Sequence, residues 1–248
     1  MNKLAVAFAI AAVATLNIII VAGAGLPFTS SCFRSIGQCS RGNRLLPLCT
    51  DGEIRPPKYH PVERMASLPT FETERLILRG ITEADTPAYE KHFVDYAIIS
   101  QLDSAIPWPY PQGGVLDWIR THIVPNQGSE LWAWGIVLKA QPAELIGCIE
   151  LLRQGKPHNR GFWLSQRYWG QGLMTEAVVP VTNYAFDVLG FERLIFANAV
   201  GNVGSRRIKE KTGARFLRTE PAQLVNPEYS EREIWELTKE EWIASRGR

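Results

Sequence analysis

A glycine turn from Gln166 to Gly172 is the part of the chain best suited to bind an anion. It follows a strand-like run and precedes a long amphipathic run, so the pattern predicts a strand, a turn and the start of a helix. Such a turn presents bare backbone N–H groups at the positive end of a helix dipole, which suits a phosphate or pyrophosphate. Two glycines let the backbone approach the anion closely, and Arg167 adds a cation.

Other phosphate-binding patterns fit this turn less well. A P-loop needs a Lys after its second glycine, and Leu173 stands there instead. A dinucleotide fingerprint needs a third small residue where Thr175 stands, and an acidic residue at the end of the next strand. The next strand-like run, Leu194 to Val200, ends without one. An ordinary turn between a strand and a helix, without a ligand, stays open as the alternative.

The composition excludes some classes of function. The chain has 248 residues, enough for one large domain or two small ones. With 46% apolar residues, 21% charged residues and a net charge of +2, it is typical of a soluble globular protein and gives no reason to expect a nucleic-acid partner. The spacing of the four cysteines matches no zinc site, so we expect no metal: Cys32, Cys39, Cys49 and Cys148.

The segment 1–64 differs from the rest of the chain. The run from Leu4 to Val21 is almost wholly apolar and about as long as the ~17–25 residues of a membrane-spanning helix. The small residues at 22–24 resemble a signal-peptidase site, but 26–63 shows no helical or alternating period. Two interpretations follow. The segment is a genuine signal or anchor, in which case a membrane is a partner, or it is an over-extended gene model whose translation begins at Met65, which we favour.

From Met65 onward, residues 65–248 have the pattern of one folded domain. Alternating or apolar runs predict strands over 73–79, 132–138, 145–152, 161–165, 193–199 and near Phe216 and Ile234. A turn at 141–143 should join the second and third of these strands. Helical periods predict helices from Thr82 through Phe93 and over 114–123, 173–188 and 202–212. Pro180 should kink the third helix. The order predicts an α+β domain on a mixed sheet.

This order of elements, with five motifs in sequence, resembles the GNAT superfamily of N-acetyltransferases, and within it the ribosomal-protein N-terminal acetyltransferase-like branch. The motifs cover about residues 70–243 and lie at Thr73 to Arg79, Pro107 to Pro111, Gly161 to Ala177, Asn202 with Ser205, and Glu210 to Gly213. The resemblance implies a GNAT-like mixed, mostly antiparallel sheet of about seven strands flanked by about four helices.

The resemblance also implies acetyl-CoA as the co-substrate, without a metal. The turn and the helix after it should hold the pyrophosphate. The backbone near Leu164 and Ser165 should hold the pantetheine arm like an added strand, with an N–H there facing the thioester oxygen. The implied cofactor-binding residues are Leu164, Ser165, Arg167, Trp169, Gly170, Gln171, Gly172, Leu173, Asn202 and Ser205. Helix capping is the alternative role for Asn202.

Two departures from the family concern catalysis. Lys209 stands where many GNAT enzymes have a Tyr that protonates the leaving thiolate, and Asn159-Arg160 stand where many members of the branch carry a Glu. Ser205 is therefore the candidate acid. Glu150, which interrupts an apolar run, is the candidate base. A salt-bridged or solvated role for Glu150 stays open as the alternative, as does relay of the amine proton by water.

The expected function is direct transfer of the acetyl group of acetyl-CoA to a primary amine, on a protein N-terminus or a small molecule. The missing Tyr and Glu leave a non-catalytic acyl-CoA-binding module as the alternative, and a membrane-anchored protein as a third. Since acetyl-CoA is a cytosolic metabolite, we expect a cytoplasmic protein, either a monomer or a homodimer. Fold does not fix the acceptor.

Overall fold

The computed structural model describes residues 68–154 and 158–246. Within these ranges the chain forms eight strands: β1 (Phe71–Glu72), β2 (Leu76–Gly80), β3 (Leu131–Leu138), β4 (Gln141–Leu152), β5 (Arg160–Leu164), β6 (Arg193–Ala199), β7 (Arg215–Pro221) and β8 (Glu231–Thr238). The α-helices of the described part are α1 (Thr86–Phe93), α2 (Tyr96–Ile99), α3 (Gly114–Trp118), α4 (Val124–Asn126), α5 (Leu173–Asp187), α6 (Val203–Lys211) and α7 (Lys239–Arg246).

The strands form two antiparallel sheets, ordered β1-β2-β3-β4-β5 and β6-β8-β7. The α+β class and the mostly antiparallel pairing are therefore confirmed. The sheets are neighbours at β5 and β6, where Asn159 N–H donates to Ile195 O at 2.7 Å and Ile195 N–H donates to Asn159 Oδ1 at 2.9 Å. Beyond this contact, each of the two strands continues in its own sheet. Along the rest of β5, the edge opposite β4 therefore has no paired strand within the described ranges.

Two hydrophobic clusters cover opposite faces of the larger sheet. One contains α5 residues such as Val178 and Val181 with Leu164 of β5, and Phe162 packs against it. The other contains α1 residues such as Tyr89 and Phe93 with Trp163 of β5. Alternation along β5 thus sends successive side chains to the α5 face and to the α1 face, as strand geometry requires.

Three local predictions were wrong. The β3–β4 turn lies at residues 139–140, because Leu138 already pairs with Gln141 and Pro142 fits into β4 beside an irregularity in the register. A π-helical segment, Ile119–Ile123, interrupts the predicted second helix. The last strand is followed by α7, whose Trp242 is buried and donates from Nε1 to Asn183 Oδ1.

The remaining boundaries agree closely with prediction. Helix α5 runs through Pro180, and Gly190 follows its end with a φ of 70°. Helix α6 is flanked by Asn202 and Thr212, as its period indicated. The described part of the chain has no helix long and apolar enough to cross a membrane. The proposed anchor at residues 4–21, and the rest of the segment 1–64, lie outside the described residues.

Candidate active site

The glycine turn has the backbone geometry of an anion cradle. Gly170 and Gly172 have φ angles of 75° and 78°, a region that side chains rarely adopt. Gly172 caps α5 without any side-chain hydrogen bond, and its carbonyl accepts from Glu176 N–H at 3.0 Å. The N–H groups of the first helical turn therefore point out of a 15-residue helix with no partner in that helix. This arrangement suits a phosphate.

The segment just before β2 holds the glycine turn in place, a role that the sequence did not reveal. Glu176 accepts from Thr73 Oγ1 at 2.5 Å, Arg75 N–H at 2.8 Å and Arg75 Nε at 2.7 Å. Arg75 also donates from Nη1 to Gln171 O at 2.9 Å. These residues belong to two motifs that were noted separately, Thr-Glu-Arg and Thr-Glu-Ala, so their joint presence was the available signal.

Side chains of the turn also stabilise it through contacts with nearby backbone carbonyls. Trp169, which is 43% exposed, donates from Nε1 to Leu164 O at 2.7 Å. Gln171 donates from Nε2 to Arg167 O at 3.0 Å, and the Arg167 guanidinium lies 4.8 Å from the centre of the Tyr168 ring. Leu173 is buried in the core, so only its backbone is available to a ligand. The structure thus gathers five of the predicted residues in one exposed turn.

The pairing of β5 shows which of its backbone groups are free. Ser165 N–H donates to Ile146 O at 2.9 Å, and the register pairs Leu164 with Gly147 and Phe162 with Ile149. Since hydrogen-bonded and non-hydrogen-bonded pairs alternate in an antiparallel ladder, Phe162 and Leu164 point their N–H groups away from β4. The free edge of β5 can therefore bind an extended arm like an added strand.

Ser165 is bound on both sides by the protein. Besides its N–H contact with Ile146, its hydroxyl lies 3.1 Å from Nδ1 of the buried His92, whose Nε2 lies 2.7 Å from Glu144 Oε1. Lys91 also binds Glu144, and its ammonium is the main cause that lowers the pKa of this carboxyl. His92 therefore joins α1 to the end of β5.

Glu150 lies beside Gly161, its cross-strand partner on β5. A Cβ atom at position 161 would lie only 2.6 Å from Glu150 Oε1, so the carboxylate covers this glycine. The side chain keeps some exposure to solvent, yet burial raises its pKa to about 7, with no compensating cation among the described residues. Its charge in turn contributes to the raised pKa values of Tyr89 and Cys148 on the same face. Glu150 therefore faces the α1 side.

The other two predicted residues lie on α6. Asn202 is the helix N-cap, and its Oδ1 accepts from Ser205 N–H at 2.9 Å. Ser205 is buried, and its hydroxyl accepts from Lys209 Nζ at 2.7 Å. Lys209 reaches the α5 side of β5, with Nζ 5.9 Å from the centre of the Phe162 ring. Ser205 and Glu150 therefore lie on opposite faces of β5.

Two loops of the described structure lie next to each other and are joined by backbone hydrogen bonds. Residues 100–104 pair with residues 223–226 through Ser104 N–H to Gln223 O at 3.0 Å and Val225 N–H to Leu102 O at 2.9 Å. Nearby in sequence, Trp108 is 42% exposed and packs against Tyr96 with ring centres 5.2 Å apart. Tyr110 instead packs on Phe93 beneath the proline-rich loop.

The fold and the site define a class of protein. It is an α+β domain in which a helix N-terminus without a side-chain cap and a free strand edge can hold a phosphorylated, extended cofactor. The chain matches the family described as the acetyltransferase (GNAT) domain over residues 75–215. This is more than half of its length, so the chain belongs to the GNAT acetyltransferase family. It is an acetyl-CoA-dependent acyltransferase, with acetyl-CoA as its co-substrate.

Two proteins of similar sequence carry names that agree with this family assignment. The chain is 28% identical to the uncharacterized N-acetyltransferase YoaA of Bacillus subtilis over 58% of its own length and 82% of that protein. It is also 28% identical to the putative ribosomal N-acetyltransferase YdaF of the same organism, over 54% of its length and 71% of that protein. The second of these names supports the resemblance to the ribosomal-protein branch.

Solved structures share the fold. A ribosomal L7/L12 alpha-N-protein acetyltransferase, RimL, in complex with coenzyme A superposes with a TM-score of 0.58 at 18% identity, covering 68% of this chain and 98% of that one. At this identity the likeness establishes the fold alone. No group of three or more His, Cys, Asp and Glu within residues 68–154 and 158–246 could hold a metal ion.

Proposed function

We propose that this enzyme moves the acetyl group of acetyl-CoA directly to a primary amine, with Glu150 as the base. One observation carries the proposal: a carboxylate with a pKa raised to about 7 stands beside Gly161, next to the free edge of β5. A base with a pKa near the working pH is well matched to accepting the proton that the amine nitrogen loses as it attacks the thioester. Gly161, which has no side chain, leaves the room that this carboxylate occupies.

The donor would lie along β5. The pyrophosphate binds the N–H groups at the start of α5 and the turn around Gly170 and Gly172, and the pantetheine arm pairs with the free edge at Leu164 and Phe162. A free N–H of β5 then polarises the thioester carbonyl. Preorganised donors of this kind are typically worth about 3–4 kcal/mol in the transition state.

Direct transfer needs no covalent intermediate on the protein. Cys148 is the one cysteine among the described residues; it is buried, and burial raises its pKa, so it stays a protonated thiol. It therefore makes a poor nucleophile. Much of the rate acceleration comes from holding the thioester and the amine together at the free edge of β5, since effective molarities can reach about 10⁵ M or more.

A protein N-terminus is the acceptor that we favour. The support is the name of a relative, the putative ribosomal N-acetyltransferase, and the exposed surface near Trp108 and Tyr96, which offers aromatic rings to a peptide. Small amines form the second class of acceptor. Aromatic residues give large contact areas at low entropic cost, so they fit either class.

The experiment measures free CoA thiol released from acetyl-CoA by the full chain with a panel of peptide N-termini and small amines. Glu150→Gln should lower kcat about 100-fold or more and abolish the fall in rate below about pH 7. The exposed Glu130, just before β3, provides the matched control Glu130→Gln, which should behave as wild type. Unchanged kcat and pH dependence in Glu150→Gln would exclude Glu150 as the base.

A further inference from the structure

Lys209 is the most unusual buried charge of the described structure. Its side chain is only 1% exposed, although lysine is almost never fully buried without a paired anion. Its Nζ donates to Ser205 Oγ at 2.7 Å, and since the two residues are four apart they share one face of α6. Lys209 Nζ lies 5.9 Å from the centre of the Phe162 ring, on the α5 side of β5.

Three titratable groups lie around this ammonium, and two of them are charged. Arg160 of β5 is buried, with one hydrogen bond to Thr182 and with Nε and Nη2 lacking partners in the described residues. Glu233 of β8 attracts the ammonium, but its carboxylate is already bound by Arg206 and Asn198. His158, before β5, is kept neutral by burial, which lowers its pKa to about 4.

The balance of these effects makes Lys209 a good acid. Burial, and after it the charge of Arg160, lower the pKa of Lys209 well below its usual value, while Glu233 opposes them. An ammonium of lowered pKa gives up its proton more readily than an exposed lysine does. Ser205 is also left free to pass a proton on, because its oxygen accepts from Lys209 and its own O–H has no acceptor in that bond.

We propose that Lys209 is the proton source for the leaving thiolate of CoA and acts through the hydroxyl of Ser205. The proposal rests on the proposed function. The geometry supports it, because a donor held by the start of α5 and the free edge of β5 runs past Phe162. The centre of this ring lies 5.9 Å from Lys209 Nζ, which is hydrogen-bonded to Ser205 Oγ. Glu150 covers Gly161 on the opposite face, so the proton acceptor and the proton source flank the same stretch of β5.

The step is balanced in atoms and charge. When the tetrahedral intermediate collapses, the C–S bond breaks and its electron pair stays on sulfur. The sulfur takes the proton of Ser205 Oγ, and Oγ takes one from Lys209 Nζ, which becomes a neutral amine. Glu150 has meanwhile taken a proton from the attacking amine. Exchange of both groups with solvent restores the ionised carboxylate and the ammonium, so Lys209 is a positioning and proton-storing residue behind Ser205.

The test is the pH dependence of kcat for acetyl transfer by the full chain. Wild type should show an alkaline fall in kcat, because the amine of Lys209 must be protonated. Lys209→Met should lose this alkaline limb and lower kcat at the optimum about 100-fold, with the KM for acetyl-CoA little changed. Lys211→Met, an exposed lysine of the same helix, should match wild type.

Two further variants separate proton transfer from charge and from structure. Lys209→Arg keeps a cation but holds its proton too tightly, so it should stay as slow as Lys209→Met. Ser205→Ala keeps the ammonium but removes the relay, and it should also lose the alkaline limb. An unchanged pH profile in Lys209→Met, or full activity in Lys209→Arg, would overturn the inference while wild-type turnover still stands. Absence of acceptor-dependent turnover in wild type would overturn the proposed function as well.

Discussion

The pairing of Glu150 with Gly161 shows how one missing side chain shapes the candidate site. Any Cβ at position 161 would meet Glu150 Oε1 at 2.6 Å and Cγ at 3.2 Å, so even alanine has to displace the carboxylate. Misplacing a catalytic group by about 1 Å can cost about 100-fold in rate. The glycine therefore controls the position of the proposed base.

We expect Gly161→Ala to lower kcat roughly 10-fold to 100-fold, with little change in the KM for acetyl-CoA. Gly80→Ala, in β2, is the matched strand control, because its new Cβ would have an ordinary contact of 3.8 Å with Leu68. Steady-state kinetics of both variants decide the matter. Equal kcat values for Gly161→Ala and wild type would show that the carboxylate moves without consequence.

At this scale the sequence indicated the candidates but not their surroundings. Glu150 drew notice because a charge interrupts an apolar run, and its strand position is local information. Lys209 was noticed only as a departure from a family pattern. Its burial depends on tertiary neighbours such as Phe162, which lies 47 positions earlier in the chain, and no local pattern encodes such a contact.

Among the elements, the segment before β2 and the start of α5 form one unit around the glycine turn. Arg75 joins them through Glu176 and the Gln171 carbonyl. Arg75→Met should raise the Kd of acetyl-CoA about threefold to tenfold and leave kcat nearly unchanged, because it loosens the turn without touching the reacting atoms. Calorimetric titration with acetyl-CoA measures this.

Arg120→Met provides the control for Arg75. Arg120 forms a similarly exposed ion pair with Glu83, outside the glycine turn, so it tests the loss of a surface ion pair alone. Its acetyl-CoA affinity should equal that of wild type. An unaltered affinity in Arg75→Met would mean that the turn keeps its shape without this support.

Helix α6 begins at Asn202, whose capping role and proposed cofactor role can be separated. Its Oδ1 caps the helix, which leaves its amide nitrogen free for the cofactor. Asn202→Asp keeps the cap and should retain stability, whereas Asn202→Ala should cost about 1 kcal/mol in the free energy of unfolding. If Asn202 also binds the cofactor, both variants raise the KM for acetyl-CoA. A normal KM in Asn202→Asp would leave capping as its only role.

Over the whole molecule, the two sheets meet at Asn159 and Ile195 and then follow separate ladders. The sequence predicted the order of elements, the bounds of β6 and the caps of α6, because periodicity and capping residues are local signals. Local patterns did not predict the joining of residues 100–104 to residues 223–226, and only the family resemblance implied the free edge of β5. Those depend on how distant strands pair, and that is set by packing of the whole domain.

The most direct test of the central claim is acceptor-dependent release of CoA thiol by Gly170→Val and Gly190→Val beside wild type. Both glycines have positive φ angles, 75° and 70°, and a Cβ at either would meet no atom within 4 Å, so the two variants carry matched backbone strain. Gly170 lies in the proposed pyrophosphate cradle and Gly190 follows the end of α5. The account predicts that release and acetyl-CoA binding are lost in Gly170→Val alone. Equal activity and binding in the two variants would contradict it.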